Sequence, residues 1–126
     1  MRISHIAIWT SDIVTLKDFY CSRFGGTVGL LYENPAKGFR SYFIRFDDEV
    51  RLEIMERTDI TKPITEEMLG YAHFAISVGS EASVRIKTEE LEKSGVQILS
   101  APRWTGDGYF ESVILDPDGN RVEITI

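Results

Sequence analysis

The feature that most constrains this chain is a repeat. His5-Ile6-Ala7-Ile8 returns as His73-Phe74-Ala75-Ile76, 68 residues on, and Arg51-Leu52-Glu53-Ile54 returns as Arg121-Val122-Glu123-Ile124, 70 residues on. Inside each half the His-to-Glu separation is nearly constant, 48 residues and then 50. Identity between the halves is confined to these ends, so the repeat is one of topology more than of sequence. The 126 residues read as a single domain of two equivalent modules, about 1–57 and 71–126, joined by a linker over 58–70 that contains Pro63.

Residues 2–9 alternate, with Ile3, His5, Ala7 and Trp9 on one face and Ser4, Ile6 and Ile8 on the other, which is the period of a strand. Ser11-Asp12 offers a helix N-cap. Leu16, Phe19, Tyr20 and Phe24 then form an amphipathic helix face, and Gly25-Gly26 stops it. Three strands are expected at 27–33, 40–47 and 50–56, separated by the link from Asn34 to Gly38 and a tight turn at Asp47-Asp48-Glu49. The second module repeats the plan. A strand at 71–78 leads through Gly79-Ser80 into a helix whose inner face is Val84, Thr88 and Leu91 and whose end is Gly95. A strand at 96–100, a loop with Pro102, Gly106 and Gly108, and strands at 109–115 and 121–126 follow. The last two are joined by Asp116-Pro117-Asp118-Gly119-Asn120, a strong turn signal. Each module is βαβββ, and the fold class is α+β.

Side chains alternate across a strand. Ala72, Phe74, Ile76 and Val78 therefore oppose Tyr71, His73, Ala75 and Ser77. Val50, Leu52 and Ile54 oppose Arg51, Glu53 and Met55, and Val122, Ile124 and Ile126 oppose Arg121, Glu123 and Thr125. With the apolar faces on the helices, the His and Glu residues share the other face, where a curled sheet can bring both pairs to one point. Two imidazoles and two carboxylates suit Zn, Ni, Co or Mn, with room for water or substrate. Any one of these residues alone is an ordinary polar position on a half-buried sheet. Four of them, paired by the repeat and on one face by parity, point to a metal site. Both histidines of the chain belong to the set.

Composition narrows the alternatives. The formal net charge of -6 and the absence of a Lys/Arg cluster argue against nucleic-acid binding. No apolar stretch approaches the roughly 18 residues of a membrane span, and the N-terminus has no signal-peptide pattern. A single cysteine, Cys21, excludes an internal disulfide and makes a reducing, cytoplasmic setting the expectation. Cys21 lies in a helical pattern and reads as a small buried hydrophobe rather than a nucleophile.

His5-Ile6-Ala7-Ile8 with the Phe19-Tyr20 helix, His73-Phe74-Ala75-Ile76, and Asp116-Pro117-Asp118-Gly119-Asn120-Arg121-Val122-Glu123 together resemble the vicinal-oxygen-chelate superfamily. That group includes glyoxalase I, fosfomycin and bleomycin resistance proteins, extradiol dioxygenases and methylmalonyl-CoA epimerase, and the resemblance runs the whole chain. It implies two βαβββ modules forming an open cup around a divalent metal, and a homodimer. By position it implies His5 and Glu53 as ligands from the first module and His73 and Glu123 from the second. Glu at both strand ends resembles glyoxalase I; the epimerase usually has Gln where Glu53 stands, and dioxygenases and fosfomycin transferases use His-His-Glu.

The resemblance therefore implies a lyase or isomerase similar to glyoxalase I, acting on a small substrate with adjacent oxygens through a metal-stabilised enediolate. One ion per site is expected, with Ni, Co or Zn ahead of Mn or Fe. Glu123 is expected as the base that moves the proton, with Glu53 as partner. An epimerase or thiol transferase of the same fold is the alternative. A drug-binding resistance protein is a third, which the complete ligand set disfavours. The chain departs from bacterial glyoxalase I at Trp9, where an Arg commonly holds the glutathione carboxylate, and after Glu53, where Ile54-Met55-Glu56-Arg57 lacks the usual Asn. Trp9 as an apolar wall, Arg57 as an anion contact and Arg103 are the candidate substrate-binding residues. Arg103-Trp104 and Gly106-Asp107-Gly108-Tyr109 form a loop placed to cover the cup.

Overall fold

A computed structural model describes every residue except Asp48, Ile64 and Met68. It divides into two compact units, Met1–Pro63 and Ile64–Ile126. That boundary falls inside the stretch expected as a linker. Ile64 and Met68 of the linker, and the middle residue of the turn expected at 47–49, lie outside the described residues.

The first unit runs β1 (His5–Trp9), α1 (Ile13–Phe24), β2 (Thr27–Val28), β3 (Tyr32–Asn34), a 3-10 turn (Pro35–Lys37), β4 (Phe39–Arg45) and β5 (Arg51–Arg57). The sheet order is β1-β5-β4-β2, with β3 also on β4. β1 is parallel to β5, and the other pairings are antiparallel. The helix starts where Asp12, in extended backbone, accepts hydrogen bonds from the N–H groups of Val14 and Thr15. A second carboxylate reaches that end from the sheet: Glu56 accepts from the Ile13 N–H at 2.9 Å and is gripped by Arg40. The helix ends at Gly25, whose φ of 70° is left-handed and cheap only for glycine. Ile13, Leu16 and Tyr20 are buried against the sheet face that carries Ile44, Leu52 and Ile54, also buried. Phe19 and Phe24 of the expected helix face are half-buried and ring Tyr20.

The expected strand 27–33 is two short strands instead. Gly29 breaks it, keeping one bond to the Phe43 carbonyl at 2.8 Å, and Leu30 and Leu31 are exposed beyond it. A glycine offers no side chain to pack, which weakens a strand at that point.

The second unit runs β6 (Phe74–Ser77), α2 (Glu81–Lys93), β7 (Ile98–Trp104), β8 (Phe110–Leu115) and β9 (Arg121–Thr125), in the order β6-β9-β8-β7. β6 is parallel to β9. Ser80 caps α2 through the Ser83 N–H. Val84, Thr88 and Leu91 are buried with Phe110, Ile114, Val122 and Ile124. The segment from 101 to 104, expected as a loop because of Pro102, belongs to β7. The proline is tolerated because β7 is an edge strand whose register shifts between Ser100 and Arg103. The expected covering loop is a hairpin connection from β7 to β8, closed by bonds between Thr105 and Tyr109. Asp116 is buried and accepts from the N–H groups of Asp118 and Asn120, which fixes the final turn. Among the described residues, no helix is long and apolar enough to cross a membrane.

The α2–sheet interface holds one polar contact that must be satisfied in place. Thr88 Oγ1 donates to the Val84 carbonyl at 2.7 Å and lies 2.6 Å from Ser112 Oγ, with both residues buried. Thr88→Val should cost about 1–3 kcal/mol by stranding the Ser112 hydroxyl, and Ser112→Ala less, because Thr88 keeps its bond to the Val84 carbonyl. The double variant should cost clearly less than the two together. Urea denaturation checks this; strict additivity would show that the hydroxyls do not depend on one another.

Candidate metal centre

In the first unit the site follows from burial. Leu52 and Ile54 turn under α1, so Glu53 between them is on the opposite face. The parallel register sets His5 beside Arg51 and Ala7 beside Glu53. His5 and Glu53 are thus diagonal neighbours on one face, with Nε2 3.6 Å from Oε2. Phe43, opposite Glu53 on β4, stands edge-on to the imidazole at 5.4 Å between centroids. Arg51 lies over the Phe43 ring at 4.6 Å and donates to Ser4 Oγ, which in turn is 3.4 Å from His5 Nδ1. The ring is therefore held from its edge and its Nδ1 side, leaving Nε2 turned to the carboxylate.

The second unit repeats this. Val122 and Ile124 are buried, and Glu123 faces the other way. β6 pairs Phe74 with Val122 and Ala75 with Glu123. His73, one residue ahead of the strand, then lies diagonal to Glu123, with Nε2 3.1 Å from Oε2. Arg121 leans away to Glu67, with 2.5 Å between them. Val113 takes the place that Phe43 has in the first unit.

Both pairs fit half of a metal shell. Nitrogen and oxygen ligands at about 2.1 Å from one ion lie about 3.0 Å apart at a right angle and about 3.4 Å apart at a tetrahedral angle. The observed separations of 3.1 and 3.6 Å are close to that range. The imidazoles are 40% and 43% exposed and the carboxylates 15% and 17%. The rings are partly open to solvent, while the carboxylates sit where water screens them less. Among the described residues, no group of three or more His, Cys, Asp or Glu side chains forms a ready metal cluster. The four expected residues are brought together as two pairs.

Sequence reasoning missed Glu111. It lies on the Glu123 face of β8, opposite Thr125, and is 8% exposed. Its partner is Arg103, across on β7, at 3.5 Å. A charged residue between Phe110 and Ser112 in strand sequence was the available signal. Burial pushes the Glu123 carboxyl above the usual carboxylate range; His73 and Arg103 pull it down, and Glu111 and Asp107 push it up. In the first unit Trp9 and Arg57 share the His5–Glu53 face, with the guanidinium 5.1 Å over the indole. Cys21 is half-buried, and burial raises its thiol, which keeps it in the unreactive form.

The family model for the Glyoxalase/Bleomycin resistance protein/Dioxygenase superfamily matches residues 2–124. Solved structures share the fold. The chain superposes on glyoxalase I from Zea mays with a TM-score of 0.82 at 22% identity, covering 98% of this chain and 44% of the maize protein, so it spans less than half of that enzyme. The trypanothione-dependent glyoxalase I of Leishmania major gives 0.78 at 23% identity, covering 99% of this chain and 86% of that one. A glyoxalase family protein from Enterococcus faecalis gives 0.82 at 24%, covering 99% and 97%. No curated protein sequence matches the chain.

The carboxyl shift has a measurable sign. In metal-free protein, carbon-detected NMR should find Glu123 titrating above the usual carboxylate range, and Glu111→Gln should bring it down. A carboxyl raised by folding binds its proton more tightly folded than unfolded. It therefore lowers stability above its folded pKa, and that loss is relieved as pH falls through it. A Glu123 titration at or below the ordinary range would contradict the burial described.

Proposed function

We propose that this chain, which belongs to the Glyoxalase/Bleomycin resistance protein/Dioxygenase superfamily, is a metal-dependent lyase or isomerase resembling glyoxalase I, acting on a small substrate with adjacent oxygens. The observation that supports this is the duplicated pair: the same two side chains, at the same diagonal of a parallel strand pair, in each unit. His5, Glu53, His73 and Glu123 are the proposed ligands, half the set from each module, drawn from one chain or from two copies. Two imidazoles and two carboxylates suit nickel, cobalt or zinc, and accept manganese or iron. A divalent ion held there would supply Lewis-acid polarisation of two neighbouring substrate oxygens.

The chain's own part is to move a proton. Glu123 is the proposed base: its carboxylate is largely shielded from water and lies on the same face as Glu111, and on leaving the ion it would be placed to accept a proton. It takes the proton from the carbon beside one oxygen and returns it to the neighbouring carbon. Glu53 stays as the partner carboxylate or serves the opposite stereoisomer. Trp9 and Arg57 on the His5 face, and Arg103 beside Glu111, are the proposed substrate contacts.

Elemental analysis tests the ligand set. His5→Ala and His73→Ala should each lose most of the bound divalent ion, and wild-type content in both variants would overturn the assignment. Glu123→Gln should keep the fold and some metal, because an amide oxygen still ligates. Assayed with a hemithioacetal, it should lose about 10²–10⁴ in kcat; a change of only a few-fold would remove Glu123 as the base.

A homodimer is proposed with this reading, because β1 and β6 end their sheets with outer edges that, among the described residues, pair with no strand of their own unit. Light scattering at working concentration should give about twice the 14.3 kDa of one chain. A species of single-chain mass would rule the dimer out.

A further inference from the structure

The face that carries His5 and Glu53 continues past them. Alternation brings Trp9 of β1, Met55 and Arg57 of β5, Phe39 of β4 and Tyr32 of β3 onto it. Four residues of strand separate Trp9 from His5, about 13 Å. Trp9 stands edge-on to Phe39 at 6.2 Å, and Phe39 stands against Tyr32 at 6.0 Å. Trp9 is 38% and Tyr32 56% exposed. Rings of this size on the core side of a sheet would be covered. These keep open aromatic surface beside polar groups, which is the character of a binding surface.

The polar groups at this end carry a positive excess. Arg57 lies over the indole at 5.1 Å, and Asp59 holds its Nε at 2.5 Å and its Nη2 at 3.2 Å, which sets the plane of the guanidinium. Next to it, between the 35–38 turn and residues 57–59, is an open notch of ≈ 730 Å³ that Lys37 also lines. Two cations face one carboxylate there, in a chain whose formal net charge is -6. Asp59 fills the Nε–Nη2 side of the guanidinium, which leaves the Nη1–Nη2 edge to meet a second carboxylate, and the aromatic rings beside it match a flat apolar body.

We propose that this end of the face is a subsite for a flat, anionic group of the arylcarboxylate class, with Trp9 and Arg57 as its specificity-determining residues. The subsite rests on the reading of the His5–Glu53 face as substrate-binding. It sets the substrate apart from one held by its charge alone: the aryl body stacks on the Trp9–Phe39 surface and the carboxylate meets Arg57 and Lys37.

The test uses 2-naphthoate as the probe, with cyclohexanecarboxylate and 2-naphthylmethanol as the saturated and neutral comparators. The full chain carries Trp104→Phe, so that Trp9 gives the only indole N–H signal. In ¹⁵N NMR, 2-naphthoate should shift that signal saturably, and both comparators should bind about 10-fold more weakly or worse. By calorimetry, Trp9→Leu and Arg57→Gln should each weaken 2-naphthoate binding about 10-fold; Arg57 is a surface side chain, so its variant reports even if Trp9→Leu folds poorly. No saturable shift, equal binding of the comparators, or unchanged affinity in Arg57→Gln overturns the subsite. Metal content is measured on the same samples. Metal retained through His5 and His73 without naphthoate binding sinks the subsite alone, whereas naphthoate binding without metal sinks the metal reading alone.

Discussion

The parallel pairing of the first strand of each module with its last is the constraint on which the rest depends. It joins His5–Trp9 to Arg51–Arg57 and Phe74–Ser77 to Arg121–Thr125, across the helix and the intervening strands. Parallel strands cannot be joined by a tight turn, so a long crossover is a requirement of the pairing, and in each module it begins with the helix. Once α1 and α2 cover one face, the register leaves no freedom about the other. Leu52 and Ile54 under α1 force Glu53 outward, Val122 and Ile124 under α2 force Glu123 outward, and the diagonal brings each histidine to its carboxylate.

The two modules share that frame and differ in what surrounds it. Beside Glu53 stands Phe43, and farther along the same face come Trp9, Phe39 and Tyr32. Beside Glu123 stands Val113, with Glu111 and Arg103 near it. The first face sets Arg51 and Arg57 over aromatic rings, whereas the second sets Arg103 against a carboxylate. Equivalent backbones thus give two carboxylates in unlike surroundings, and burial raises the proton affinity of Glu123.

Much of this was legible in the sequence because alternation, caps and turns are local. The faces of β1, β5 and β9, the Asp12 cap, the stop at Gly25 and the turn from Asp116 to Asn120 all followed from a few neighbouring residues. What escaped is non-local. The break at Gly29 depends on which of its neighbours finds cover. Glu56 reads as one more strand glutamate until the fold brings it to the Ile13 N–H and Arg40. Glu111 gains its importance from Arg103 on one neighbouring strand and from Glu123 on the other. Pro102 looked like a loop residue because its tolerance depends on β7 lying at an edge.

That edge has a further consequence. β7 runs past Pro102, which has no N–H to offer, and its register slips on both sides of Ser100. A neighbouring chain seeking to extend the sheet there meets an irregular row of donors with one missing. The side of the second unit that would otherwise template strand-by-strand association is blunted by the chain itself, at the cost of a regular register between β7 and β8. Protection against misassembly is thus written into the backbone of one strand.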